Sequence, residues 1–263
     1  MLMKENKVKK LIIVVLVILL ISIGVLFAIL NGTKENTEVI ENNPSKLNNL
    51  YLKDIAEYDE YSNLNKEFIG IIKFESNLID LPFVKAEIKT TAQDAYDKYL
   101  RTAWDTMEHD EEGSIFMDPY NHINDQNLVL YGHYVYPEYD PSGSHKFTPL
   151  HLLKEESNYE SNKYIDLILK NEVRRYEISN VYYAKTDTDS DQPLEKGMEY
   201  MFSNFNDDAL EYYMKRVNEE EFYDTGVEIG PDDKFLTLQT CVENRDDLKL
   251  IVIAKEIEVI EIR

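Results

Sequence analysis

Residues 235–241, Phe-Leu-Thr-Leu-Gln-Thr-Cys, constrain this chain more than any other stretch. Phe235, Thr237, Gln239 and Cys241 share one parity, and Leu236, Leu238 and Thr240 the other. That period of two, in aromatic and β-branched company and with no breaker before the polar run 243–247, predicts a strand. The strand ends on the only cysteine of the 263 residues, where a loop begins. A side chain at a loop edge is well placed to meet a substrate. Taken alone, an unpaired cysteine reads more simply as a small core hydrophobe, since free Cys is among the most buried residue types.

The first thirty residues give the compartment. Lys4, Lys7, Lys9 and Lys10 precede residues 11–30, a run without a charge and rich in Leu, Ile and Val. At ~1.5 Å rise per residue such a run spans ~30 Å, about one hydrocarbon core. Residues 27–31, Phe-Ala-Ile-Leu-Asn, offer no convincing signal-peptidase site, so the run reads as an uncleaved anchor. The lysines place the N-terminus inside and the rest of the chain outside. Residues 1–10 are then a cytoplasmic basic tail, 11–30 a single transmembrane helix, 31–46 a polar stalk with Gly32 and Pro44, and 47–263 the exported domain.

The formal charge is −22, and beyond the first ten residues 24 basic residues face 49 acidic ones. Such a domain disfavours nucleic acid and anionic membrane surfaces and attracts a basic peptide. One cysteine leaves no intramolecular disulfide. On an exported chain, a lone thiol is more easily explained as a nucleophile than as a structural leftover.

Along the exported region, spacings of three and four predict an amphipathic helix over residues 47–66, in one piece or two. Strands are predicted over 68–74 and 78–84, the second at an edge or irregular position because of Pro82. A helix follows over 91–104, capped by Thr90 or Thr91, and then strands over 113–118 and 127–135. Thr148-Pro149 opens a short helix over 147–156. Strands over 164–169 and 173–186, an acidic loop over 187–192 and a helix over 206–217 lead to the cysteine strand. Residues 248–260 alternate almost without flaw and close the sheet. The sum is a mainly β fold: about eight short strands in a closed or nearly closed barrel, decorated by helices.

Three motifs now stand in order: Gly-Ser-Ile-Phe-Met-Asp at 113–118, Tyr-Gly-His at 131–133, and Thr-Leu-x-Thr-Cys at 237–241. Together they resemble the sortases, the cysteine transpeptidases of Gram-positive cell surfaces, and class B in particular. The resemblance covers roughly residues 68–260. It implies an eight-stranded sortase barrel and a membrane-anchored enzyme that recognises a C-terminal sorting motif, in class B often Asn-Pro-x-Thr-x. Cys241 would attack the Thr carbonyl and hold the protein as a thioester. An amine from a cell-wall cross-bridge or a pilin lysine would then resolve it. The helix over 206–217 sits where class B sortases carry one, in the connection that walls the substrate groove.

Cys241 is therefore the expected nucleophile and His133 its general acid and base. Gly132 removes a side chain beside His133, letting the backbone turn or a substrate approach. Leu238, Gln239 and Thr240, leading into the nucleophile, are the expected substrate contacts. Sortases also use an arginine on the strand after the cysteine to hold the oxyanion, and here the chain departs from the pattern. Lysine occupies position 249, and Arg245 lies in the polar connection. Arginine donates two parallel hydrogen bonds and lysine offers a point charge, so the exchange is not conservative. Geometry favours Lys249, chemistry Arg245. His109, His122, His145 and His151 carry no matching motif, and the acidic runs lack the spacing of a calcium loop. No metal or cofactor is expected. Two rivals remain. One is a cell-wall cysteine peptidase, although papain-like families generally place Cys before His. The other is a non-catalytic surface domain.

Overall fold

The computed structural model describes residues 51–186 and 198–262. The anchor and stalk expected over 1–46, the first residues of the helix expected over 47–66 and the acidic loop at 187–192 lie outside them. Among the described residues no helix is long and apolar enough to cross a membrane.

Eight strands close into a barrel in the order β1-β2-β3-β4-β7-β8-β6-β5. They are β1 Phe68–Phe74, β2 Asp80–Val84, β3 Ile115–Met117, β4 Asn127–Tyr131, β5 Tyr164–Ile168, β6 Glu172–Lys185, β7 Phe235–Val242 and β8 Arg245–Glu261. The β2–β3 and β4–β7 pairs are parallel. Pro82 precedes the first residue of β2 that pairs with β3, Phe83, so its missing N–H interrupts no ladder on that side.

Alternation along each strand sorts the two faces. Leu236 and Leu238 of β7, Leu250, Val252 and Ala254 of β8, and Leu128 and Leu130 of β4 fill the barrel. The opposite parity, Phe235, Ile251 and Ile253, packs outward with Tyr182 beneath the crossover helix Asp207–Glu220, which contributes Leu210, Tyr213, Met214 and Val217. That helix opens on Asn206, whose side chain accepts from the Ala209 N–H. The helix Leu52–Leu64 covers another outer patch, where Tyr58 and Tyr61 pack on Phe68 and Ile71.

Four expected boundaries are corrected. β4 stops at Tyr131 rather than continuing to 135, so His133 sits beyond the sheet and not on a strand. A Cβ on Gly132 would lie 2.6 Å from Phe147 Cγ and 2.5 Å from Ile115 Cδ1. What approaches Gly132 is thus the protein's own core. The second helix spans only Ala92–Leu100, capped by Thr91, because Thr102 bridges back to His109 and turns the chain. Residues opening at Thr148-Pro149 form a 3-10 helix, Thr148–Lys154. The connection after the cysteine strand is not a polar loop. Asn244, in the left-handed region at φ 57°, closes a tight turn, and β8 begins at Arg245.

Candidate active site

β7 and β8 place Cys241 and Lys249. The two are partners across the antiparallel ladder, whereas the next pair is Val242 with Arg245, so residues 246–248 bulge out of register. By parity both side chains fall on the outer face, past the end of the packed cluster. Lys249 Nζ donates to Cys241 Sγ at 3.6 Å. Arg245 turns away. Its Nε and one terminal nitrogen donate to the two carboxylate oxygens of Asp247 at 2.8 and 2.7 Å, in an exposed pair. The structure therefore brings Lys249 to the thiol and leaves Arg245 in solvent.

Residues leading into Cys241 divide by face. Leu238 and Thr240 are fully buried, with Leu238 in the barrel core and Thr240 on the same parity, paired with Leu250. Only Gln239 of the three keeps partial exposure. A side chain sealed inside the barrel packs rather than touches a substrate, so the expectation for Leu238 and Thr240 has no contact surface behind it.

His133 is positioned by the second helix. Tyr96 from that helix and Tyr131 of β4 both donate to Asp118 Oδ2, at 2.6 and 2.7 Å, which clamps the helix against β4. The helix ends at Leu100, whose carbonyl oxygen accepts from His133 Nε2 at 2.8 Å. A carbonyl only accepts, so the proton is on Nε2, and in the neutral ring Nδ1 carries the free lone pair. Burial pulls the imidazole below its ordinary value. Arg101 and Lys146 add to that, while the Leu100 bond and Asp110 oppose it. The ring is therefore neutral near pH 7 and can accept a proton. His133 and Cys241 do not hydrogen-bond to each other, and each is held by a different partner. A cavity of about 590 Å³ lies beside His133, lined by Arg101, Glu111, Glu112, Tyr134 and Tyr139 but not by Cys241.

Two further residues at the thiol have no signal in the sequence. Tyr200 is fully buried, and burial raises its phenol well above the usual range, with a smaller push from the nearby Cys241. Its backbone is fixed by Asn127 of β4, whose Nδ2 donates to the Tyr200 and Phe202 carbonyls at 2.9 Å each. His151, on the 3-10 helix, donates from Nε2 to the Cys241 carbonyl at 3.0 Å. Nothing around position 151 marks it, because its partner is a backbone atom ninety residues away.

No protein-family model matches the chain, and no curated protein does. Solved structures do. The fold is that of a class B sortase. Clostridium perfringens sortase B is 27% identical, with 76% of this chain and 99% of that one covered and a TM-score of 0.62. A Staphylococcus aureus sortase B–substrate complex is 21% identical over 87% of this chain and 97% of that one, with a TM-score of 0.64. Bacillus anthracis sortase B in complex with AAEK1 is 22% identical over 77% and 84%, with a TM-score of 0.60. In this sortase B-like barrel, Cys241 is the penultimate residue of β7 and His133 follows β4, and those two strands are parallel neighbours.

Proposed function

We propose that this protein is a membrane-anchored cysteine transpeptidase that cleaves a C-terminal sorting motif and joins the protein to an amine. The observation that carries the reading is the ammonium of Lys249 set 3.6 Å from the sole thiol, at the end of β7 in a sortase B-like barrel. Cys241 gives its proton to His133 Nδ1 and attacks the Thr carbonyl of the sorting motif. Lys249 faces the negative charge that passes from sulfur to the oxyanion. The C–N bond breaks as the imidazolium protonates the departing amine, leaving a thioester. An acceptor amine then loses a proton to His133 and attacks the thioester; the C–S bond breaks and the leaving thiolate takes that proton back from the imidazolium, restoring the thiol and the neutral ring.

The His133 ring and the thiol stand apart, which leaves the scissile bond to come between them. The cavity beside His133 offers an acceptor amine room, and its wall carries Glu112 together with Glu111, which pairs with Arg101 at 2.9 Å. Gln239 is the retained candidate for substrate contact. Surface proteins bearing the sorting motif are the donors in this reading, and a cell-wall cross-bridge or pilin lysine is the acceptor. Residues 11–30 hold the enzyme in the bilayer, with the barrel outside and residues 31–46 as its stalk.

The test is to incubate the full-length protein with a sorting-peptide library and weigh it. A mass gain that disappears in Cys241→Ala and on adding an amine, with a new amide product, supports the reading. Cleavage without amine-dependent product makes the protein a peptidase, and no adduct with any peptide makes it a binding domain.

A further inference from the structure

Between β4 and β7 the parallel ladder runs out before it reaches the nucleophile. Its last bond is from the Gly132 N–H to the Gln239 carbonyl, at 3.1 Å. Continuing the ladder by two residues would pair the Cys241 carbonyl with the Tyr134 N–H. By then the chain has left the sheet, just past the point where Phe147 fills the space beside Gly132. With β4 ended at Tyr131, the Cys241 carbonyl is left without its strand neighbour.

The segment 147–151 fills that gap and touches both sides of it. On the histidine side, the Phe147 N–H donates to the His133 carbonyl at 3.1 Å, and the Val135 N–H donates to Thr148 Oγ1 at 2.8 Å. On the cysteine side, His151 Nε2 donates to the Cys241 carbonyl at 3.0 Å. The His151 ring also packs on Tyr134, with centroids 4.7 Å apart, and the Tyr134 hydroxyl donates to Glu243 Oε2 at 3.1 Å. Two chain exits that no longer bond to each other are both held by the first turn of the 3-10 helix.

We propose that the 3-10 helix Thr148–Lys154 is a strut that sets the spacing between the His133 and Cys241 segments, with His151 as a positioning residue for the nucleophile. The proposal rests on the transpeptidase reading only for the consequence in turnover. Its structural content is that the His151 N–H, standing in for a strand donor, keeps the Cys241 sulfur against Lys249. Reacting groups misplaced by about 1 Å lose roughly a hundredfold in rate, so a strut of this kind is felt in catalysis well before it is felt in folding.

The test uses the full-length protein, whose only thiol makes every alkylation a report on Cys241. His151→Phe keeps a ring against Tyr134 and removes the donor. His151→Gln loses the ring and keeps an N–H at similar reach. Thr148→Val cuts the strut at its histidine end alone. Each is measured for alkylation rate by iodoacetamide at pH 7, for single-turnover acylation by a sorting peptide, and for melting temperature.

We expect His151→Phe to slow both alkylation and acylation, acylation by about tenfold or more, with His151→Gln restoring most of each. Thr148→Val should slow acylation and leave alkylation unchanged. Wild-type rates in His151→Phe overturn the proposal. Equal loss in His151→Gln and His151→Phe also overturns it, since ring packing and not the donor would then be responsible. If His151→Phe does not fold, the His151→Gln and Thr148→Val pair decides: wild-type acylation in Thr148→Val removes the strut. Failure of the wild-type protein to acylate with any peptide sinks the transpeptidase reading instead, and the alkylation comparison still decides the role of His151.

Discussion

Lys249 lies directly across the β7–β8 ladder from Cys241, and its Nζ reaches the thiol sulfur at 3.6 Å while Arg245 bonds to Asp247. Removing a donor aimed at a developing oxyanion costs ~10²–10³ in turnover, whereas an exposed ion pair contributes little. Lys249→Ala is expected to fall by that factor in single-turnover acylation, with Arg245→Ala close to wild type. Lys249→Arg should keep or raise activity by adding a second parallel donor. A crippled Arg245→Ala beside a normal Lys249→Ala would show that the hairpin rearranges when substrate binds.

His133 is held with its proton on Nε2 by the Leu100 carbonyl, which leaves the free lone pair on Nδ1. His133→Ala is expected to lose ~10²-fold or more in acylation. Because burial depresses the imidazole, the acidic limb of the rate profile should lie below the ordinary histidine value of 6.5. An acidic limb above 6.5, or a loss under about tenfold in His133→Ala, would make His133 a structural residue.

Gly132 has no room for a methyl group against Phe147 and Ile115. Gly132→Ala should destabilise the domain by about 1–3 kcal/mol, the usual scale of overpacking, and slow acylation by displacing His133. Combining it with Phe147→Leu, which makes room, should recover part of both. Unchanged melting temperature and acylation in Gly132→Ala would mean that the turn tolerates movement.

Two half-buried imidazoles make stability fall with acid. Burial lowers His133, against Asp110 and the Leu100 bond and with Arg101 and Lys146. Burial also lowers His151, against the Cys241 carbonyl and Glu243 and with Lys154. The folded state then binds fewer protons than the unfolded chain once pH drops below the ordinary value of 6.5. Their contribution is complete above that value and is lost as pH falls toward the depressed folded values. His145, raised by its bond to Glu112, works the other way but is exposed and screened. Melting temperatures from pH 8 to pH 5 should fall more steeply for wild type than for the His133→Gln/His151→Gln double variant. Parallel curves would remove both histidines from the acid response.

Much of the barrel was legible because alternation is a local property. The parity of residues 235–241 and 248–260 separates barrel interior from outer face whatever the neighbours are, and the same parity puts Cys241 and Lys249 on one side. Asn206 and Thr91 mark helix starts for an equally local reason, a side chain bonding a backbone N–H three residues on. Boundaries set from outside were misplaced. β4 ends at Tyr131, beside the point where Phe147 fills the space over Gly132, and residues 238 and 240 lie on the buried parity of β7 although they lead directly into Cys241.

By itself, then, the sequence determined the strand pattern and the single thiol at a strand end, both written in short-range order, while the candidate pairing of Cys241 with His133 came only from the resemblance of their motifs to the sortases. Only the tertiary structure brought Lys249 and not Arg245 to the thiol, placed the His133 proton on Nε2 and set His151 against the Cys241 carbonyl. Each of those depends on a register shift, a backbone carbonyl or a bulge shared by segments far apart in the chain. A carbonyl is the same atom in every residue, so no side-chain pattern records where it points.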